Sequence, residues 1–141
     1  MSLFRRKPRV HAEVLDGFHA AEAPALQRAI VGALGLSATH LDRVHDEVEL
    51  VRGKNGRVAL VWHEAFVGFA PHDREAALTA LLDAHPDAVV QVPGTLFRVG
   101  MLWRVWIGVV PLELPPVPDR LDELPVQEPS IFGMPINRLR H

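Results

Sequence analysis

The stretch EAFVGFAPHDREAALTALL, residues 64–82, carries a strand-like segment, a glycine, a proline and the start of a helix in one short span. Phe66 to Phe69 reads as the strand, with Gly68 inside it. From about His72 to Ala84 the chain reads as a helix. Ala77, Leu78, Leu81 and Leu82 form its apolar stripe, Asp73 and Glu75 suit the positive N-terminal end of the dipole, and Pro86 ends it. A glycine at such a junction serves elsewhere as a phosphate cradle or a catalytic elbow. A cradle needs several consecutive N–H groups turned inwards. Neither G-x-G-x-x-G nor G-K-[ST] surrounds Gly68, and Pro71 has no N–H to offer. The segment therefore reads as a scaffold joint, where glycine admits a close backbone or a bulge.

Working outward, residues 44–63 form the clearest hairpin. Val44, Val48 and Leu50 alternate with His45, Glu47 and Glu49, the period of a half-buried strand. Lys54-Asn55-Gly56 signals a type I′ turn, because Asn-Gly tolerates the positive φ it needs. The return strand, 57–63, sets Val58, Leu60 and Trp62 on one face. Upstream, Val10 to Leu15 reads as a short strand, followed by a helix over about Ala21–Leu34. That helix has Leu26, Ile30, Ala33 and Leu34 on one face, Pro24 in its first turn and Gly35 as its stop. Downstream, Val89 to Phe97 and Trp103 to Val110 read as strands with a turn near Gly100. Helices and strands that do not alternate regularly predict an α+β fold. We expect a small β-barrel-like sheet of about five to six mostly antiparallel strands with two helices and an extended Pro-rich C-terminal tail.

Composition divides the chain into a basic arm (1–9, with Arg5, Arg6, Lys7 and Arg9), a folded domain (10–111) and the tail (112–141). Prolines at 111, 115, 116, 118, 125, 129 and 135 keep the tail from being a central strand or a long helix. It should be extended, in part polyproline II, and either laid over the domain or free. The 141 residues, 48% of them hydrophobic, suffice for one core, and a net charge of −2 supplies no global field for nucleic acid or a membrane. The absence of cysteine excludes disulfides, thiolate nucleophiles and Cys-ligated zinc. No apolar region follows the basic N-terminus, and the most apolar run, 99–112, is broken by Arg104 and falls short of the ~18 residues of a membrane span. These features predict a cytoplasmic protein with no membrane association.

Eight histidines stand at 11, 19, 40, 45, 63, 72, 85 and 141, yet none forms H-E-x-x-H or an i, i+4 pair on a helix. They read as surface histidines, and neither metal nor other cofactor is expected. Ser2, Ser37 and Ser130 lie outside any G-x-S-x-G elbow. Glu47 and Glu49 share one strand face, whereas glycosidase carboxylates converge across a cleft. No catalytic activity is expected. What remains is the last strand, where Trp103, Val105, Ile107 and Val109 share a core face and Arg104, Trp106 and Gly108 the other. The second face is either a stacking platform for a single-stranded base or a Trp106 packed under the tail with Arg104 covering it. Arg52, Lys54 and Arg57 decorate the hairpin tip, to meet phosphate or simply to stay solvated, with Glu47 and Glu49 nearby opposing a polyanion.

The order of these pieces resembles the HIRAN domain, a small module found alone in bacteria and fused to helicase-like proteins elsewhere. The likeness begins at Val14-Leu-Asp-Gly-Phe-His19 and continues through Val48-Glu-Leu-Val51. It is clearest at Val58-Ala-Leu-Val-Trp-His-Glu-Ala-Phe-Val-Gly-Phe-Ala-Pro71 and closes with Trp103 to Pro111. The resemblance implies a β-barrel related to OB and SH3-like barrels, with two helices, and non-catalytic recognition of DNA, including single-stranded ends. Together with the mixed Arg104/Trp106 face, it makes Arg52, Lys54, Arg57, Arg98, Arg104 and Trp106 the expected contacts of weak nucleic-acid binding and single-stranded DNA the expected partner. The family's Asn-Pro-aromatic-Asp loop contributes to its end-binding pocket. Here the shorter Arg52-Gly-Lys-Asn-Gly-Arg57 replaces it, so end recognition is not carried over. The alternative is a protein-interaction or structural module. In it the basic arm and the Pro-rich tail, with the apolar cluster Ile131 to Ile136, engage a partner protein or a second copy of the chain.

Overall fold

In the computed structural model, which describes residues 7–35, 40–127 and the main chain of 130–131 and 134–135, the strands build a curled antiparallel sheet flanked by two helices. In chain order these are β1 (Arg9–His11), β2 (Phe18–His19), α1 (Gln27–Leu34), β3 (Arg43–Arg52), β4 (Val58–Trp62), β5 (Ala65–Phe69), α2 (His72–Ala84), β6 (Val89–Val99) and β7 (Leu102–Ile107). Neighbours run β2-β7-β6-β3-β4-β5, and β1 lies parallel to the start of β6. Ser130–Ile131 and Met134–Pro135 pair separately as a short ladder.

The β3–β4 turn forms as its residues dictate. Asn55 and Gly56 take φ of 59° and 78°, the Arg57 N–H bonds the Lys54 carbonyl at 3.2 Å, and Arg52 falls opposite Val58. A second tight hairpin joins β4 to β5 through His63 and Glu64, whose φ of 45° and 70° are unusual for such residues. His63 is held there by stacking on Trp62 at 5.3 Å and by a 2.7 Å bond between its Nε2 and the Asp46 carboxylate. That bond keeps the Asp46 carboxyl below its ordinary pKa.

Gly68 is the joint the sequence suggested. Register slips between Leu60 and Val61, so Leu60 faces Gly68 while Val61 faces Phe66, and β5 bulges and bends. A Cβ on Gly68 would lie 3.0 Å from both the Ala20 Cβ and the Ala21 carbonyl oxygen. Ala21 and Phe69 exchange main-chain bonds of 2.7 and 2.9 Å at this point, so the two ends of the strand order touch and the sheet curls towards a barrel.

The inner face carries the core. Val48, Leu60, Val67, Leu96 and Val105 are fully buried against Ile30 of α1, each such side chain stabilising the fold by about 1.5–3 kcal/mol. Leu78 and Leu82 dock α2, which packs on β3 and β4. Three boundaries differ from the sequence expectation. The first helix is split, because Ala23–Leu26 is a 3-10 turn and only Gln27–Leu34 is α-helical. The buried Gln27 side chain competes there for the Ala23 carbonyl (2.9 Å) and clamps both the N–H and the carbonyl of Trp103 at 2.8 Å. The first strand stops at His11, leaving Leu15 exposed. The last stops at Ile107, since Gly108 at φ 107° turns the chain and puts Val109 outside the core.

Candidate functional site

Strand register builds a row of side chains across the outer face of the sheet. His19 lies opposite Trp106, Trp106 opposite Thr95, and Thr95 opposite His45. Arg104 lies opposite Phe97 on the same face, because alternate residues such as Val105 and Leu96 point inward. His19 sits edge-on to Trp106 at 4.9 Å and tilted against Phe97 at 5.7 Å, and the His45 ring bonds the Thr95 hydroxyl at 2.8 Å. His45 at one end of the row is exposed, but the part around Trp106 does not meet water. His19, Arg104 and Trp106 are only 4–5% exposed. Their cover is the proline-rich chain itself.

After Gly108 the chain doubles back, and the Trp106 indole N–H donates to the Val109 carbonyl at 3.1 Å. His19 Nε2 donates to the Pro115 carbonyl at 2.7 Å, leaving its buried Nδ1 without a partner among the described residues. Burial holds this imidazole below its ordinary pKa; the Pro115 bond opposes that shift and the Arg104 charge reinforces it. Arg104 donates to the Ala20 carbonyl at 3.2 Å and to both oxygens of Asp122, at 3.0 and 3.3 Å. Asp122 also accepts the Glu22 N–H at 2.7 Å. Glu22, itself buried and at φ 70°, accepts in turn from the Glu123 and Leu124 N–H groups at 2.7 and 3.2 Å. Gln127 completes the docking, with its N–H on the Pro24 carbonyl and its side-chain oxygen on the Arg28 N–H, both 2.8 Å. Residues 111–127 thus form a strap. None of them is buried, although they bury the residues beneath.

Between β2, the start of α2 and the strap lies a cleft of about 450 Å³, walled by Phe18, His19 and Trp106 on one side and by Pro115, Pro116 and Pro118 on the other. Its cations are Arg57, Arg74 and Arg120. The Arg57 guanidinium lies over Phe69 at 4.7 Å and 3.6 Å from the Glu75 carboxylate. Arg74 lies over Phe18 at 5.2 Å and bonds the Asp16 carbonyl at 2.7 Å. His72 spans Glu75 (3.2 Å) and Glu123 (3.3 Å), and both carboxylates raise its pKa. Among the described residues no three His, Asp or Glu side chains are grouped to hold a metal ion. Flat ring walls beside three guanidinium groups suit non-covalent binding of a planar ligand, while Glu22, Asp73, Asp119 and Glu123 on the same lining oppose an anion.

The six sequence-predicted contacts fall into three places. Arg52, paired with Asp83, and the exposed Lys54 sit at the β3–β4 end, and Arg57 turns from there into the cleft. Arg98 lies over the Trp103 ring at 4.8 Å, near the β6–β7 turn. Arg104 and Trp106 lie under the strap, so of the two expectations for Trp106 the structure has the one in which it packs beneath the tail. Arg57 and Trp106 share the cleft; the others do not join them. His19, expected at the surface, is buried because strand pairing seats it beside Trp106 under Pro115. Nothing in the sequence singles out Glu22, Arg74 or Asp122 for a role in this site. Residues 1–6, most of the basic arm, and the side chains of the 131–136 cluster lie outside the described residues.

No helix among the described residues is long and apolar enough to cross a membrane. Comparison of this chain with protein-family models, curated proteins and solved structures finds no match, so the likeness to HIRAN domains rests on the residues quoted for it.

Proposed function

We propose that this chain is a non-catalytic, nucleic-acid-associated binding module that uses the Arg104/Trp106 face and the adjoining cleft. The observation that carries the reading is the placement of rings and guanidinium groups outside the core. Trp106, Phe97 and His19 cluster on the outer sheet face beside Arg104, with Arg57 and Arg74 in the cleft next to them. Rings that stack bases next to cations that neutralise phosphates are what single-stranded nucleic acid requires, and with His19, Arg104 and Trp106 buried beneath residues 111–127 the reading requires that cover to lift. Arg52, Lys54 and Arg98 would add peripheral phosphate contacts; the exposed Arg52–Asp83 pair is worth little and exchanges readily. Fluorescence anisotropy with a short single-stranded DNA at low and high salt tests it. Binding that weakens with salt is expected, and no binding at tens of micromolar protein in low salt would end the proposal.

A second reading, a structural or protein-interaction module acting through the tail, is favoured by the strap's docking on Glu22 and Arg104. Deleting residues 112–141 should then lower stability or change the oligomeric state. An unchanged stability, mass and pull-down profile would count against it.

A further inference from the structure

Three donors converge on one strap carboxylate. Arg104 Nη1 and Nη2 and the Glu22 main-chain N–H all point at Asp122, at 3.0, 3.3 and 2.7 Å. A guanidinium fork plus a main-chain N–H is a receptor for an oxyanion, and carboxylate and phosphate present it with similar paired oxygens. One donor is left over, since the buried Arg104 Nε has no partner among the described residues. A backbone phosphodiester matches the carboxylate with two free oxygens, and its two ester oxygens add weaker acceptors that a carboxylate lacks.

The strap lies outermost. None of its residues is buried, and Leu112, Leu124 and Val126 stand at least half exposed. What holds it is a set of hydrogen bonds, two ion pairs (Asp122 with Arg104 and Glu123 with His72) and the cover it gives Trp106 and His19. Local opening of such a segment costs less than global unfolding, and its exposed Glu123–His72 pair is screened by salt. Its acids, Glu113, Asp119, Asp122 and Glu123, outnumber its single cation, Arg120, so the strap carries the charge sign of a nucleic-acid backbone. Lifting it would uncover Trp106 and His19 beside a guanidinium that regains water.

We propose that residues 111–127 are a releasable cover, and that Arg104 with the Glu22 N–H forms an oxyanion site filled by Asp122 in the closed state and by a nucleic-acid phosphate when the strap is displaced. This rests on the nucleic-acid reading above for the identity of the ligand, but not for the release of the cover.

The test uses the full chain, its Asp122→Asn variant, and Asp122→Asn combined with Arg104→Lys, which keeps the charge and loses the fork. Amide exchange is followed at Glu123, Leu124 and Gln127, whose N–H groups dock the strap, and along β7 as a control. Anisotropy with a fluorescein-labelled oligothymidylate and titration with inorganic pyrophosphate, followed at the Glu22 amide resonance, report on the site. In Asp122→Asn, exchange at the three strap amides should rise about tenfold with β7 unchanged. Oligothymidylate affinity should rise about tenfold, and the added Arg104→Lys should remove most of the gain. Strap amides that exchange no faster in the variant would overturn the releasable cover, whatever the DNA result. Faster exchange with pyrophosphate bound and oligothymidylate ignored would keep the oxyanion site and overturn the nucleic-acid ligand. Faster exchange with neither probe bound would overturn the site itself.

Discussion

Asp122 meets Arg104 through hydrogen bonds of 3.0 and 3.3 Å, eighteen residues further along the chain, with the arginine side chain 6% exposed and the aspartate 24%. Partners this close and this shielded should couple measurably, unlike an exposed surface pair. A double-mutant cycle of Arg104→Gln and Asp122→Asn, read by urea unfolding, should give a coupling of about 1–3 kcal/mol. The loss in either single variant is capped by the free energy that docks the strap, because a strap already released can lose no more. A coupling within error of zero would mean the pair does not hold the strap.

Gly68 and Gly32 make a matched pair with opposite expected signs. A Cβ at Gly68 would sit 3.0 Å from the Ala20 Cβ and the Ala21 carbonyl, where the two ends of the sheet meet. Gly68→Ala should cost about 1–3 kcal/mol as the strands part, and Gly68→Val more. At Gly32, exposed in α1, nothing lies within 4 Å of a Cβ, and Gly32→Ala should stabilise by about 0.5–1 kcal/mol. Thermal melts by circular dichroism separate the two directions.

The parts of the fold legible in the sequence are those fixed by local chemistry. Asn55-Gly56 forces one hairpin, the stripe holding Leu78 and Leu82 sets α2 at His72–Ala84, and a lone Gly68 marks a close approach. The His63-Glu64 turn was hidden because neither residue favours positive φ; it is stabilised by Trp62 and by Asp46, seventeen residues from His63. The strapped face was hidden for a related reason. Asp122 looks no different in sequence from Asp119 or Glu123, and its selection depends on Glu22, a hundred residues away, being turned to receive it. His19 became a buried residue, on the outer face of the sheet, only through its pairing with Trp106 and the Pro115 segment over it. Contacts between distant polar residues leave no periodic trace.

The β4–β5 turn supplies a stabilising substitution. Glu64 holds φ at 70°, a conformation costing an L-residue about 1–2 kcal/mol that glycine avoids. After the extra unfolded-state entropy of glycine, Glu64→Gly should still gain about 0.5–1 kcal/mol in urea unfolding. His63→Gly should not gain likewise, because it also removes the Trp62 stack and the Asp46 bond. Equal gains from both would show that those contacts contribute nothing.

The His19 imidazole ties stability to pH. Burial lowers its pKa in the folded protein, with the Pro115 carbonyl on the strap opposing and Arg104 on β7 reinforcing the shift. The unfolded chain therefore takes up its proton first as pH falls below the ordinary histidine value of about 6.5. Its contribution is complete above that value and is lost progressively as pH falls from there towards the lowered folded value. His72 acts in the opposite sense, since Glu75 and Glu123 raise its pKa and its contribution fades as pH rises, but it is exposed. Asp46, shifted down by His63, acts only in the carboxylate range, at lower pH. Wild type should thus lose stability as pH falls from about 6.5 towards the lowered folded value of His19. His19→Gln keeps a donor for the Pro115 carbonyl and cannot titrate, so its urea midpoint should change less over the same interval. An identical pH slope in the two proteins would show that His19 is not the titrating group.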